Sequence, residues 1–281
     1  MGSPARCSEM RWLLLEGAAG GIMYPMRKIR LLLEYDGTAY HGWQAQKDAV
    51  TVQGMLEEKV QRVTGRRTSV IGASRTDAGV HAFGQVAVFR TPSQLDAGTI
   101  RRALNAVLPL DIRVLSAEEV HDAFHPRKDA VRKRYFYLIA NQRMSSAFLF
   151  RYTWLVPQSL GIGPMKDASH MLLGKHAFSA FMGTGSGIQD TVREVYSLDV
   201  ETLDGVVFMG VKLHGHFIRI TAEANGFLRH MVRNIVGTLA EIGRGRMPSE
   251  KMREVLESRD RKNAGQTAPA NGLFLERIDY R

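Results

Sequence analysis

Cysteine is almost missing from this chain of 281 residues: Cys7 is the only one. No disulfide can form within the chain, which fits a reducing compartment and a cytoplasmic protein. Cys7 has no organised motif around it, so thiolate catalysis finds no support. Long apolar runs are also lacking, and none approaches the length of a membrane span. Trp12-Leu-Leu-Leu15 follows Arg11 but is too short for a secretory signal and is cut by Glu16. Metal-ligand spacings are absent as well. His214 and His216, and His121 and His125, have no carboxylate or cysteine at a familiar ligand distance along the chain. Gly183-Thr-Gly-Ser-Gly187 has the glycines of a phosphate loop but no lysine after them, and reads as a flexible linker. Acidic residues are scarce: 28 Asp and Glu face 38 Lys and Arg, for a net charge of +10. That excess suits a polyanionic partner, nucleic acid above all.

What the chain does have is Gly72-Ala-Ser-Arg-Thr-Asp-Ala-Gly-Val-His-Ala-Phe-Gly84. This loop of small residues carries Arg75, Thr76, Asp77 and His81 between two apolar stretches, Thr68-Ser-Val-Ile71 and Gln85-Val-Ala-Val-Phe-Arg90, which read as strands. A rigid sheet would then hold an exposed carboxylate. Asp77 has no second acid within the loop, so it is a lone carboxylate flanked by a cation. The plain alternative is a polar β-turn whose Asp bonds its own backbone.

Residues 1–25 are expected to be a flexible leader or start-site extension, with the fold beginning near Met26. Strand 29–35 leads to Thr38-Ala-Tyr-His-Gly-Trp-Gln-Ala-Gln46, either a loop packed around Trp43 or a surface for stacking bases. A helix over 52–64 is capped by Thr51 and stopped by Gly65. A second helix, 95–108, is opened by Ser93 or Asp96 and closed before Pro109, and strand 112–120 follows. Residues 28–120 thus read β-α-β-β-α-β, the order of a ferredoxin-like unit. Beyond them come a basic aromatic strand, 132–139, and a short helix, 165–173. A hairpin follows, with strands 192–203 and 206–213 turning at Asp204-Gly205, and then strand 217–222. Helices 227–243 and 249–258 and a last strand ending at Tyr280 complete the chain. In strand 132–139, Tyr135 and Tyr137 share one face while Phe136 and Leu138 share the other. The expected fold is α+β. An N-terminal lobe (26–130) and a C-terminal lobe (131–281), each ferredoxin-like or RNA-recognition-like, join mainly antiparallel sheets across a central cleft. Arg229 and Arg233 lie four apart on the expected long helix and could reach that cleft as partners of Asp77.

In this order the motifs resemble the A family of tRNA pseudouridine synthases, from about Ile29 to Tyr280. The resemblance rests on Leu33-Glu-Tyr-Asp-Gly-Thr-Ala-Tyr-His-Gly-Trp-Gln44, Thr51-Val-Gln53, Ser74-Arg-Thr-Asp-Ala-Gly-Val-His-Ala82 and Arg134-Tyr135. Phe227-Leu-Arg-His-Met-Val-Arg-Asn-Ile-Val-Gly237 and Thr267-Ala-Pro-Ala-Asn-Gly-Leu-Phe-Leu275 complete it. Ser74 departs from the glycine that many members carry there, a change expected to touch no catalytic group. The resemblance implies isomerisation of uridine to pseudouridine in the anticodon stem-loop of tRNA, at tRNA positions 38 to 40, by a homodimer without cofactor or metal. It makes Asp77 the catalytic aspartate and Arg233 its ion partner. Tyr135 becomes the active-site tyrosine beside the uracil, and Arg75 the arginine that fills the gap left by a flipped base. Two other classes stay open on the residues alone. One is a non-catalytic RNA-binding chaperone. The other is an Asp-nucleophile glycoside hydrolase, which would want a second carboxylate or a metal.

Overall fold

A computed structural model of the chain describes residues 24–185 and 187–281. The expected leader lies outside them apart from Tyr24 and Pro25, as does Cys7. β1 (Arg27–Tyr35) alternates as a half-buried strand should, with Ile29, Leu31, Leu33 and Tyr35 turned inward. α1 (Val52–Thr64) starts where Thr51 accepts a hydrogen bond from the Gly54 N–H, and stops at Gly65 in the left-handed region. β2 (Ile71–Gly72) is shorter than expected, and β3 (His81–Thr91) longer. The last four residues of the Gly-rich stretch are therefore strand, and the loop proper shrinks to 73–80. α2 (Ala97–Val107) is capped by Asp96, and β4 (Ile112–Val120) follows. Leu56 and Val60 of α1 and Ile100 and Leu104 of α2 join the same core as the inward residues of β1.

β5 (Ala130–Ala140) buries Tyr135 and Tyr137 on one face, as the alternation predicts. β6 (Trp154–Leu155) is a short addition parallel to β5. α3 (Ile162–His170) sits three residues earlier than expected, and β7 (Gly174–Ala177) follows. β8 (Val192–Phe208) and β9 (Val211–Ala224) form one long hairpin. The turn expected at Asp204-Gly205 is not there. Gly205 pairs with His214 at a register shift, and a Cβ on it would lie 2.8 Å from the Leu213 carbonyl oxygen. The turn falls at Met209-Gly210, whose φ angles of 50° and 80° supply the two positive values a tight hairpin needs. The expected third strand, 217–222, is the second half of β9. α4 (Met231–Gly243) begins four residues later than the apolar spacing suggests, because His230 is left-handed (φ 61°) and cannot continue a helix backward. α5 (Lys251–Ser258) and β10 (Leu273–Tyr280) end the order.

The ten strands of the described residues form one mostly antiparallel sheet, ordered β4-β1-β3-β10-β5-β9-β8-β7, with β2 beside β3 and β6 beside β5. The strand latest in sequence sits at its centre. Leu275 of β10 is level with Ala82 of β3, in parallel, and with Tyr135 of β5, in antiparallel. That insertion brings Tyr135 alongside the 73–80 loop. α4 is almost wholly buried and is strapped by the segment before β10. The Asn234 side chain accepts from Thr267 (2.6 Å) and Arg261 (3.0 Å), and the Thr238 hydroxyl accepts from the Gly265 N–H (2.9 Å). The crossing is tight: a Cβ at Gly237 would lie 1.6 Å from the Gln266 carbonyl oxygen.

Gly237→Ala should therefore lower stability by about 1–3 kcal/mol through overpacking. Gly163→Ala, on open space in α3, should be neutral or slightly stabilising. Urea melts of the two variants check the contrast.

Candidate active site

The 73–80 loop is fixed from below by strand residues. The Ala73 N–H donates to the Val86 carbonyl (2.8 Å). The Gln85 amide, fully buried, accepts from the Ser74 N–H (3.2 Å) and donates to the Ser74 carbonyl (2.7 Å). The Thr76 carbonyl accepts from the Trp43 N–H (3.0 Å), and its hydroxyl lies 2.8 Å from the Tyr35 hydroxyl. Burial pushes the Tyr35 phenol up to about 12, against the hydrogen bonds from Thr76 and Gln85, so it stays a neutral donor. Gly42 runs so close under the loop that a Cβ there would lie 2.6 Å from the Thr76 carbonyl oxygen. Trp43 itself is buried, so of the two readings of its loop the packed one holds. The Val80 N–H donates to the Asp77 carbonyl (3.1 Å) across a tight turn, with Gly79 at φ 77°. Asp77 is indeed in a β-turn, but its carboxylate does not spend itself on its own backbone.

One Asp77 oxygen accepts from Arg233 Nη1 at 3.1 Å; the other lies 3.5 Å from His230 Nε2. Arg233, in the first turn of α4, is itself held, with Nε donating to the Ala268 carbonyl at 2.8 Å. Its own carbonyl accepts from the Ala268 N–H at 3.1 Å. The ion pair is mostly shielded, with side chains 24% and 15% exposed. The carboxylate is thus held in a fixed position by a cation, the placement a nucleophile or base needs.

Tyr135 is 4% exposed. Its hydroxyl lies 2.8 Å from the Ser74 hydroxyl, and its ring meets Phe227 edge-on at 5.2 Å. Burial raises its phenol well above the ordinary tyrosine range, and the nearby Asp77 and Tyr35 add to this, so it does not ionise at neutral pH. Ser74 therefore touches Tyr135, while no hydrogen bond joins its side chain to Asp77 or Arg233 among the described residues. The departure from glycine places a hydroxyl against the tyrosine.

Three of the four expected residues converge: Asp77, Arg233 and, through Ser74, Tyr135. Arg75 stands exposed on the loop, two residues from Asp77. Arg229 does not share a helix face with Arg233, because α4 starts after it; its guanidinium reaches the Thr184 carbonyl instead. His230 was missed as a site residue. Its left-handed backbone turns the imidazole onto Asp77, and Gly183 makes room for it, since a Cβ there would lie 2.7 Å from Nδ1. The Gly183 N–H also bonds the Arg229 carbonyl at 2.8 Å, so this glycine is part of the site rather than linker. The one sequence signal was the His between two arginines in Arg229-His-Met-Val-Arg233, which periodicity alone put on a helix. Burial holds the His230 pKa below its ordinary 6.5. Asp77 pulls it upward, while Arg233, Arg229 and Arg261 reinforce the depression, so the ring is neutral at pH 7. Among the described residues no group of three or more His, Cys, Asp or Glu is placed to hold a metal.

With this geometry in place, the likeness to known proteins is specific. The tRNA pseudouridine synthase family model matches residues 32–127 and 168–281. The tRNA pseudouridine synthase A of Thermoanaerobacter sp. (strain X514) is 46% identical over 255 residues, covering 91% of this chain and all of that protein. The proteins of that name from Acetivibrio thermocellus and Myxococcus xanthus are 44% and 43% identical, each over 91% of this chain, and over 100% and 93% of their own lengths. The chain belongs to the tRNA pseudouridine synthase family.

Two outcomes test the site. Ser74→Ala leaves the Tyr135 hydroxyl buried without its partner and should cost about 1–3 kcal/mol of stability, with a fall in turnover measured on the same preparation. His230→Gln should change the pH dependence of unfolding. The folded-state pKa of His230 lies below the unfolded 6.5, so as pH drops through 6.5 the unfolded chain gains the proton first and stability declines. The Gln variant should lose less stability than the parent between pH 6.5 and about pH 5, as read by thermal melts across that range.

Proposed function

We propose that Asp77, paired with Arg233, isomerises uridine to pseudouridine in the anticodon stem-loop of tRNA. The observation that carries this is the shielded Asp77–Arg233 pair at 3.1 Å, set beside Tyr135 in a chain of this family. The reaction breaks the N1–C1′ bond of a uridine and joins C5 to C1′. A lone carboxylate can do this by attacking C1′ as a nucleophile, or by taking the C2′ proton to give a glycal-like intermediate. Both routes use the Asp77 carboxylate, which Arg233 holds in place at 3.1 Å. The target uridine has to leave the stack, at a cost of a few kcal/mol. Tyr135 and Phe227 offer the aromatic surface that offsets part of that, with base–aromatic contacts worth about 1–3 kcal/mol each. Arg75, exposed two residues before Asp77, fills the gap the base leaves in this reading.

In this reading the sheet consists of two ferredoxin-like lobes, 26–130 and 131–281, joined through β10, with the cleft between them taking the RNA. The first lobe's spatial order, β4-β1-β3 with β2 beyond β3, supports it. No helix of the described residues is long and apolar enough to cross a membrane. The enzyme works in the cytoplasm as a homodimer, with no cofactor or metal.

Asp77→Asn should lower pseudouridine formation on unmodified tRNA by more than about a thousandfold, equivalent to about 4 kcal/mol of barrier, while tRNA affinity stays within a few-fold. Carbodiimide mapping of the product, with filter binding alongside, checks both. Turnover persisting in that variant would remove Asp77 from the mechanism.

A further inference from the structure

Lys133 lies on β5, two residues before Tyr135 and on the same sheet face. Its side chain is only 8% exposed, an unusual place for an ammonium group. Nζ donates one hydrogen bond, at 2.7 Å, to the Ala73 carbonyl at the start of the catalytic loop. An ammonium carries three donors, so two remain unspent. Arg127 does the same one residue earlier, reaching the Gly72 carbonyl at 3.5 Å. Two cations therefore sit on consecutive carbonyls of the segment that enters the loop. Among the described residues, neither Arg127, Lys133 nor Arg75 has a carboxylate within 4.0 Å. On the far side of β5 the opposite holds, where Arg132, Arg134 and Arg277 share Glu223.

We infer that Lys133 and Arg127 form a phosphate site for the RNA backbone next to the catalytic loop, with Arg193 at its edge. This rests on the RNA-modifying reading above and adds to it a named contact that holds the loop and the substrate strand together. A phosphodiester oxygen would take the unspent donors of Lys133, while its remaining N–H keeps the loop carbonyl in place. Binding the strand and fixing the loop that bears Asp77 then become one event.

The charges around Lys133 make the site proton-linked. Burial lowers its pKa to about 8, and Arg127 from the β4–β5 connection and Arg193 from β8 press it further in the same direction. The positions paired with it laterally, Ile278 on β10 and Ala224 on β9, are uncharged. Arg127 is likewise lowered, by burial first and by Arg75 second. A bound phosphate favours the ammonium and raises its pKa. RNA affinity is then greatest below pH 8 and falls as pH rises above it.

The test uses the full chain and a labelled anticodon stem-loop RNA, with dissociation constants measured at several pH and salt values. For the parent protein, affinity should fall about three- to tenfold between about pH 7 and about pH 9. Lys133→Gln should bind more weakly at pH 7, show little pH dependence and lower the salt slope by roughly 0.7–0.9. Arg127→Gln relieves the like charge and should move the midpoint of the pH profile upward, a shift that a merely structural role for Arg127 would not produce. An unchanged salt slope and pH profile in Lys133→Gln, or an unmoved midpoint in Arg127→Gln, overturns the proposal. If inorganic phosphate binding, measured at matched ionic strength, depends on Lys133 but RNA binding does not, the site takes free phosphate and the RNA assignment is wrong. Failure of the wider reading looks different: the parent protein would form no pseudouridine in tRNA.

Discussion

The contact between Asp77 and Arg233 is the constraint everything else serves. The two residues are 156 positions apart, and their side chains meet at 3.1 Å. An ion pair this sheltered is favourable only if its geometry is held by other groups. Gln85, Tyr35 and Trp43 hold the aspartate's loop, and Ala268 holds the arginine from two directions. Ala268 in turn is placed by the strap across α4, where the absence of a side chain at Gly237 lets backbone meet backbone. The pair is thus braced from both sides by groups that are themselves buried or backbone-bound.

The local elements could largely be read in advance because each had a local cause. Thr51, Gly65 and Asp96 mark helix ends by hydrogen bonding or backbone conformation within a few residues. The two faces of β5 followed from alternation alone. Asp77 stood out for lacking a neighbouring acid; spacing offered Arg229 and Arg233 together as its partners, and the family motif singled out Arg233. What stayed hidden has non-local causes. Helix periodicity continues smoothly through Phe227 to Arg229, and only the left-handed His230 breaks it. The ring is accommodated by the missing side chain of Gly183, nearly fifty positions earlier. Asp204-Gly205 carries the usual hairpin signature, yet the strand runs through it because the glycine is needed for close approach to the facing strand. The hydroxyl of Ser74 gained meaning only when β5 was placed beside the loop.

Electrostatics divides the two faces of the sheet at β5. On one, Arg132, Arg134 and Arg277 share Glu223, and Arg134 and Arg219 share Glu276, so part of the positive charge is balanced within the protein. On the other, Lys133 and Arg127 have no carboxylate within 4.0 Å among the described residues and donate instead to the Ala73 and Gly72 carbonyls. A net charge of +10 says only that the molecule suits polyanions. Its distribution says more, since the positive charge without an internal counterion lies next to the carboxylate that has one.

The central position of β10 has a consequence for biogenesis. A ribosome delivers this strand after all the others, yet β3 and β5 both depend on it for an edge partner. Until Leu273 onward has emerged, the nascent polypeptide carries two open strand edges, the kind of surface that recruits chaperones or neighbouring chains. Closing the sheet joins segments far apart in sequence, which makes it a slow, late step. Tyr135 of β5 therefore comes level with the strands of the first half only once the last strand is in place.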